Sequence, residues 1–93
     1  MPAIEPILFA GVETLSLRQL DELNQLPKGS AFRWFKACEA ELVEGCDYHY
    51  LPADEYAGLI DQLKRAGQIY VTTRHLLLLT RSGYQRMRAS SQR

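Results

Sequence analysis

Ser16–Leu42 reads SLRQLDELNQLPKGSAFRWFKACEAEL, and this stretch decides the fold. Ser16 is placed to accept from the amide of Gln19 while the Gln19 side chain reaches back, which is a capping box. Leu15 and Leu20 add a hydrophobic staple across the same helix start. Leu17, Leu20 and Leu23 then recur at helical spacing, with Arg18, Gln19, Asp21 and Glu22 on the side expected to face solvent. Pro27 disfavours helical geometry at Leu26, so the helix ends near Asn24 or Gln25. Pro27, Lys28 and Gly29 form a tight turn, and Ser30 is a second N-cap from which a helix runs from Ala31 to about Glu41. Phe32, Phe35, Cys38 and Leu42 fall on its inner face, leaving Arg33, Lys36 and Ala37 outside with Trp34 at the boundary. Helix, short glycine-containing turn, helix is the expected arrangement.

Working outward, the alternating segment Tyr48 to Leu51 predicts a short strand, and Pro52 opens a third helix with Asp54 and Glu55 in its first turn. Tyr56, Leu59, Ile60 and Leu63 hold the i, i+3, i+4, i+7 pattern, and Gly67 stops the helix. Ile69 to Thr72 and Leu76 to Leu79 are two β-prone runs around Thr73, Arg74 and His75, which predicts a hairpin with a cationic tip, shaped as a wing. Thr80 to about Arg88 forms a last helix with Tyr84 and Met87 inward and Arg81, Arg86 and Arg88 outward. Residues 1–14 are expected to be an N-terminal extension and residues 89–93 a frayed tail. The whole chain of 93 residues is one domain, a small α+β winged helix-turn-helix with three or four helices and a short β-hairpin.

Eleven basic and eleven acidic side chains cancel, but they are not mixed. Every carboxylate precedes Leu63, while Lys64, Arg65, Arg74, Arg81, Arg86, Arg88 and Arg93 follow it, so one side of the domain is expected to be electropositive. The start of the chain lacks the basic and apolar segments of a secretory leader, and the aliphatic run Leu76 to Leu79 is far short of the roughly 20 residues a membrane span needs. A cytoplasmic protein without a membrane partner is expected. Cys38 and Cys46 read as reduced thiols rather than a disulfide.

A chain of this size has little room for a deep substrate cavity, and the residues offer no catalytic constellation. Cys38, Cys46, His49 and His75 lack the close paired spacing of a zinc site. Asp54 and Glu55 fit a helix start better than an acid and base pair. No enzyme, cofactor, metal or small-molecule substrate is therefore expected.

The functional reading rests on the helix pair and the basic tip. Lys28 and the amides at the Ser30 helix start would seat a phosphate oxygen, Arg33 and Lys36 would enter a major groove, and Arg74 with His75 would follow the backbone. Trp34 and Arg81 complete the candidate DNA-binding set. A plain solvated surface helix and a charge-balancing tail would carry the same residue types. The stretches SLRQLDELNQLPKGSAFRWFKAC, EGCDYHYLPADEY and LLLLTRSGYQRM resemble the N-terminal DNA-binding domains of phage antirepressors and related KilA-N-type regulators. That resemblance spans roughly Leu15 to Met87 and implies a winged or helix-turn-helix-like module of a phage or prophage regulator, with Arg33, Lys36 and Arg74 facing DNA. The expected partner is double-stranded DNA, with a homodimer or partner chain adding contact area. The competing expectation is a protein-binding adaptor that uses Trp34, Tyr48 and Tyr50 as an aromatic hot spot.

Overall fold

The computed structural model describes residues 5–91 and shows a small α+β domain with four helices and a four-stranded antiparallel sheet. In chain order the elements are β1 (Ile7–Phe9), β2 (Val12–Ser16), α1 (Leu17–Leu23), α2 (Ser30–Cys38), β3 (Tyr48–Leu51), α3 (Ala57–Arg65), β4 (Leu76–Thr80) and α4 (Arg81–Ser91). The sheet order is β1-β2-β4-β3, so the last strand lies inside the sheet.

That placement explains the leucine run. Leu76 and Leu78 pack with Ile7, Leu51, Ile60, Leu63 and Ile69 on the α3 side, while Leu77 and Leu79 pack with Leu20, Ala31, Phe35, Cys38 and Met87 on the other. Successive strand residues point to opposite faces, so a strand covered on both faces is apolar throughout rather than alternating. The result is three layers: α3, the sheet, and the group α1, α2 and α4.

The expected hairpin over residues 69–79 is not formed. β2 pairs with one side of β4, through Leu15 opposite Leu79, and β3 pairs with the other, through His49 opposite Leu78. Both hydrogen-bonding edges of β4 are taken, so Ile69 to Thr72 cannot pair with it as the expected hairpin required. It is instead a loop whose carbonyls meet the start of α1, with Ser16 Oγ donating to Gln68 O and Arg18 donating to Ile69 O. Ile69 is buried in the α3 layer and Arg74 stands exposed on the loop.

The segment expected as an extension holds the actual hairpin. Ile7, Leu8 and Phe9 pair with Thr14, Glu13 and Val12 across a turn in which Ala10 and Gly11 have φ of 54° and 77°. Two consecutive positive φ values mark the tight hairpin turn whose twist matches the strands. Thr14 Oγ1 donates to Ile7 O at 2.7 Å, and Ile7 is buried in the α3 layer.

Elsewhere the local chemistry holds. The capping box at Ser16 is complete, and Asn24 ends α1 with its Nδ2 donating to Leu20 O. Gly67, at φ of 74°, stops α3 as its amide reaches Lys64 O and that of Gln68 reaches Leu63 O. Pro52 opens two tight turns rather than a helix, since Glu55 and Tyr56 both donate to Pro52 O and α3 begins at Ala57. The last helix runs past the expected end at Arg88 to Ser91, with Met87 buried and Tyr84 half-buried as expected. Of the expected frayed tail, 92–93 lies outside the described residues. No helix among the described residues is long and apolar enough to cross a membrane.

A candidate nucleic-acid interface around the second helix

Six residues, 24–29, join α1 to α2, a longer connection than the tight turn expected at Pro27, Lys28 and Gly29. They are held by a residue that the polar-face reading turned outward. Asp21 is only 2% exposed, and its carboxylate accepts from the amides of Gly29 at 3.1 Å and Ala31 at 2.7 Å. Tyr70 from the loop before β4 donates its hydroxyl to the same carboxylate at 2.6 Å. Gln19 is buried as well, bridging Ser16 N and Glu5 O. Two of the four polar residues of α1, Gln19 and Asp21, therefore form an internal hydrogen-bonded seam, because the chain before β2 and the loop after α3 fold over them.

This seam corrects the expected helix start. Gly29, at φ of 90°, is the N-cap of α2, and Ser30 is its first residue. The Ala31 amide, one of those expected to cradle a phosphate, already donates to Asp21, as does the amide of Gly29. Ser30 Oγ instead accepts from the Arg33 guanidinium at 3.4 Å, so Arg33 folds back over the start of the helix. A carboxylate bonded to amides at a helix N-terminus is the stable partner for that end of the dipole.

The outer face of α2 is formed by Phe32, Arg33, Lys36 and Ala37, all exposed. Phe32, expected inside, is 47% exposed because Ala31, Phe35 and Cys38 fill the inner face. Lys36 pairs with Glu39 at 2.9 Å in the open, an ion pair worth at most about 1 kcal/mol. Among the described residues, no carboxylate lies in ion-pair range of Lys28, Arg33 or Arg74.

Lys28 stands 5.1 Å from the centre of the Tyr70 ring, and Arg18 stands 5.7 Å from it. These residues, with Phe32, Thr72, Thr73 and His75, line a groove of about 350 Å³. Burial and the bond to Asp21 push the Tyr70 hydroxyl up to about 12. A second groove of about 370 Å³ continues on the other side of Phe32 and His75, bounded by Lys36, Tyr48, Tyr50 and Leu77 and closed by Glu39 and Glu44.

The structure thus gathers Lys28, Arg33, Lys36 and His75 around α2 and separates the rest of the expected set. Arg74 points toward α3 and shares a groove with Lys64 and Asp61. Arg81 lines a groove with Glu13, Leu15, Leu23 and Tyr84 that has no wall in common with the Lys28 groove. Trp34 is half-buried beneath α4, where its Nε1 donates to Met87 O at 3.1 Å and its ring meets Tyr84 edge-on. The three aromatics expected as a protein-binding cluster are also dispersed. Tyr48 packs edge-on against Phe35, and Tyr50 lies beside His75 at 5.7 Å between centroids. Sequence reasoning passed over Tyr70, Asp21 and the exposure of Phe32.

Asp47, next to Tyr48 and also buried, accepts from the Val43 amide and the Ser82 hydroxyl and faces Arg86 at 3.4 Å. Burial raises its pKa, but these donors and the Arg86 charge outweigh burial and hold the carboxyl below its ordinary range. Among the described residues, no three His, Cys, Asp or Glu side chains cluster as metal ligands. No family model, curated protein or solved structure matches the chain.

Proposed function

We propose that this domain binds double-stranded DNA through the outer face of α2, as a non-catalytic module of a phage-type or bacterial transcriptional regulator. The observation that carries the reading is the exposed Arg33 and Lys36 face on a nine-residue helix anchored from behind by Asp21. Nine residues rise about 13 Å, which suits a major groove about 12 Å wide. In this reading Arg33 and Lys36 meet base edges, with Arg33 able to donate two bonds to guanine. Lys28 supplies a phosphate contact as a point charge, since the neighbouring amides are occupied. The loop of residues 71–75 takes the flanking role of a wing without being a hairpin, His75 on the α2 side and Arg74 toward α3. The reading agrees with the resemblance to phage antirepressor and KilA-N-type domains.

One module covers roughly 600–1,000 Å² of DNA, so a homodimer or partner chain completes the working form. Fluorescence anisotropy on a random duplex tests the proposal. Affinity should fall steeply between about 50 and 200 mM salt, Lys28→Ala should lower the salt slope by about 1, and Arg33→Ala with Lys36→Ala should weaken binding. A salt-independent affinity, or full retention in the double variant, overturns it.

A further inference from the structure

Phe32, Tyr50 and His75 are three exposed rings that packing alone does not call for. Phe32 is 47% and Tyr50 is 42% exposed, and neither belongs to a buried apolar cluster. They do not stand apart from the cations. Phe32 and His75 are walls of both grooves flanking the start of α2, the first ending at Lys28 and the second holding Tyr50 and Lys36. His75 is held in place, its Nδ1 accepting from the Ala53 amide at 3.3 Å and its ring tilted against Tyr50. The two grooves share Phe32, His75 and Leu77 as walls, so aromatic faces and the cations Lys28 and Lys36 line adjoining surfaces, and each has a volume within the range of about 300–1,000 Å³ typical of small-ligand sites.

We propose that these adjoining grooves bind single-stranded DNA, with unpaired bases stacked on Phe32, His75 and Tyr50 and the sugar-phosphate chain following Lys28 and Arg18. Every base has a π-face, and proteins that hold single strands combine a cationic track with aromatic platforms. The Lys36 end suits a base better than a phosphate. Glu39 and Glu44 close it, and carboxylates repel phosphate but accept from an exocyclic amine such as that of cytosine. The Lys28 end is the reverse, since cations flank Tyr70 there and the Asp21 carboxylate is spent on amides and a hydroxyl. The inference rests on the DNA-binding reading for its phosphate contacts and adds a second form of the ligand, such as a melted or displaced strand.

Anisotropy with a short oligodeoxycytidine and with a duplex of equal length, on the intact chain, separates the two ideas. Phe32→Leu and Tyr50→Leu should each weaken the single strand by roughly five- to hundredfold, the range expected for one stacked base, and Tyr50→Leu, which lies off the outer face of α2, should leave the duplex within about twofold. Phe32→Tyr keeps a ring and should restore single-strand binding, and thermal melting by circular dichroism confirms that each variant is folded. If the single strand binds but ignores the leucine variants, only backbone attraction is present and the stacking proposal is overturned. Duplex binding without single-strand binding also overturns it and leaves the reading of α2 standing. Failure of both ligands removes both.

Discussion

Replacing Asp21 with alanine tests whether the α1 to α2 connection is held from inside. The carboxylate accepts three hydrogen bonds, from Gly29 N, Ala31 N and Tyr70 Oη, at 3.1, 2.7 and 2.6 Å. Hydrogen bonds to charged groups contribute about 1.5–3 kcal/mol each, and a stranded buried donor costs its desolvation. Part of this is recovered when the Tyr70 hydroxyl turns to water, so Asp21→Ala should cost about 3–5 kcal/mol. For a domain of this size that lowers Tm by roughly 15–30 °C. Urea titration and thermal melting followed by circular dichroism measure it, with Glu22→Ala as the control, since Glu22 lies in the open and pairs only with Arg18 at 3.0 Å. A cycle with Tyr70→Phe should show a coupling energy of about 0.5–3 kcal/mol. A loss below about 1 kcal/mol for Asp21→Ala would mean that the connection is held by other contacts, and the account of a pre-positioned α2 would fail.

Three further outcomes follow from the same geometry. The Tyr70 hydroxyl ionises near 10 when unfolded and near 12 in the fold, so its contribution is complete below pH 10 and is lost as pH rises from about 10 to 12; Tyr70→Phe should remove that part of the alkaline stability loss, read by melting across that range. Asp47 has the opposite sign, since its depressed pKa stabilises the fold above the ordinary carboxylate range and is lost as pH falls through the folded value; Asp47→Asn should flatten the acid side of the stability curve, and an unchanged acid limb would discount the Val43, Ser82 and Arg86 contacts. Gly83→Ala would gain about 1 kcal/mol by helix propensity alone, yet the new Cβ would enter the Asp47 carbonyl, so the variant should lose about 3 kcal/mol or more in urea titration, and a gain would refute the close approach.

What could be read from the residues was local. The Ser16 capping box, the stop at Gly67, the strand at Tyr48 to Leu51 and the inward pair Tyr84 and Met87 depend on neighbours in sequence, and each stands where its chemistry puts it. The errors share a different cause. Leu76 to Leu79 could be a hairpin arm or a strand covered on both faces, and only the sheet order decides between them. The uninterrupted run of four leucines was the available clue to a central strand. Asp21 sits on the polar side of a helical wheel, and no wheel shows that residues 29, 31 and 70 converge on that side. Phe32 is the mirror case, an apolar residue left outside because Ala31 and Phe35 had already filled the space. Of the candidate site, the basic face of α2 was legible, whereas the grooves beside it depend on the loop before β4 and were not.

The strand that joins both halves of the sheet is also the last to be made. Leu15 finds its partner only at Leu79, and β3 finds its partner on the same strand. A growing polypeptide that has not yet reached Leu76 therefore holds two pieces with nothing between them, and their aliphatic faces stay wet until Leu76–Thr80 has been added. Pairings so distant along the chain are slow to close. Acquisition of the native sheet should thus wait for this one strand and then proceed all at once, and until then a holding chaperone has most to shield.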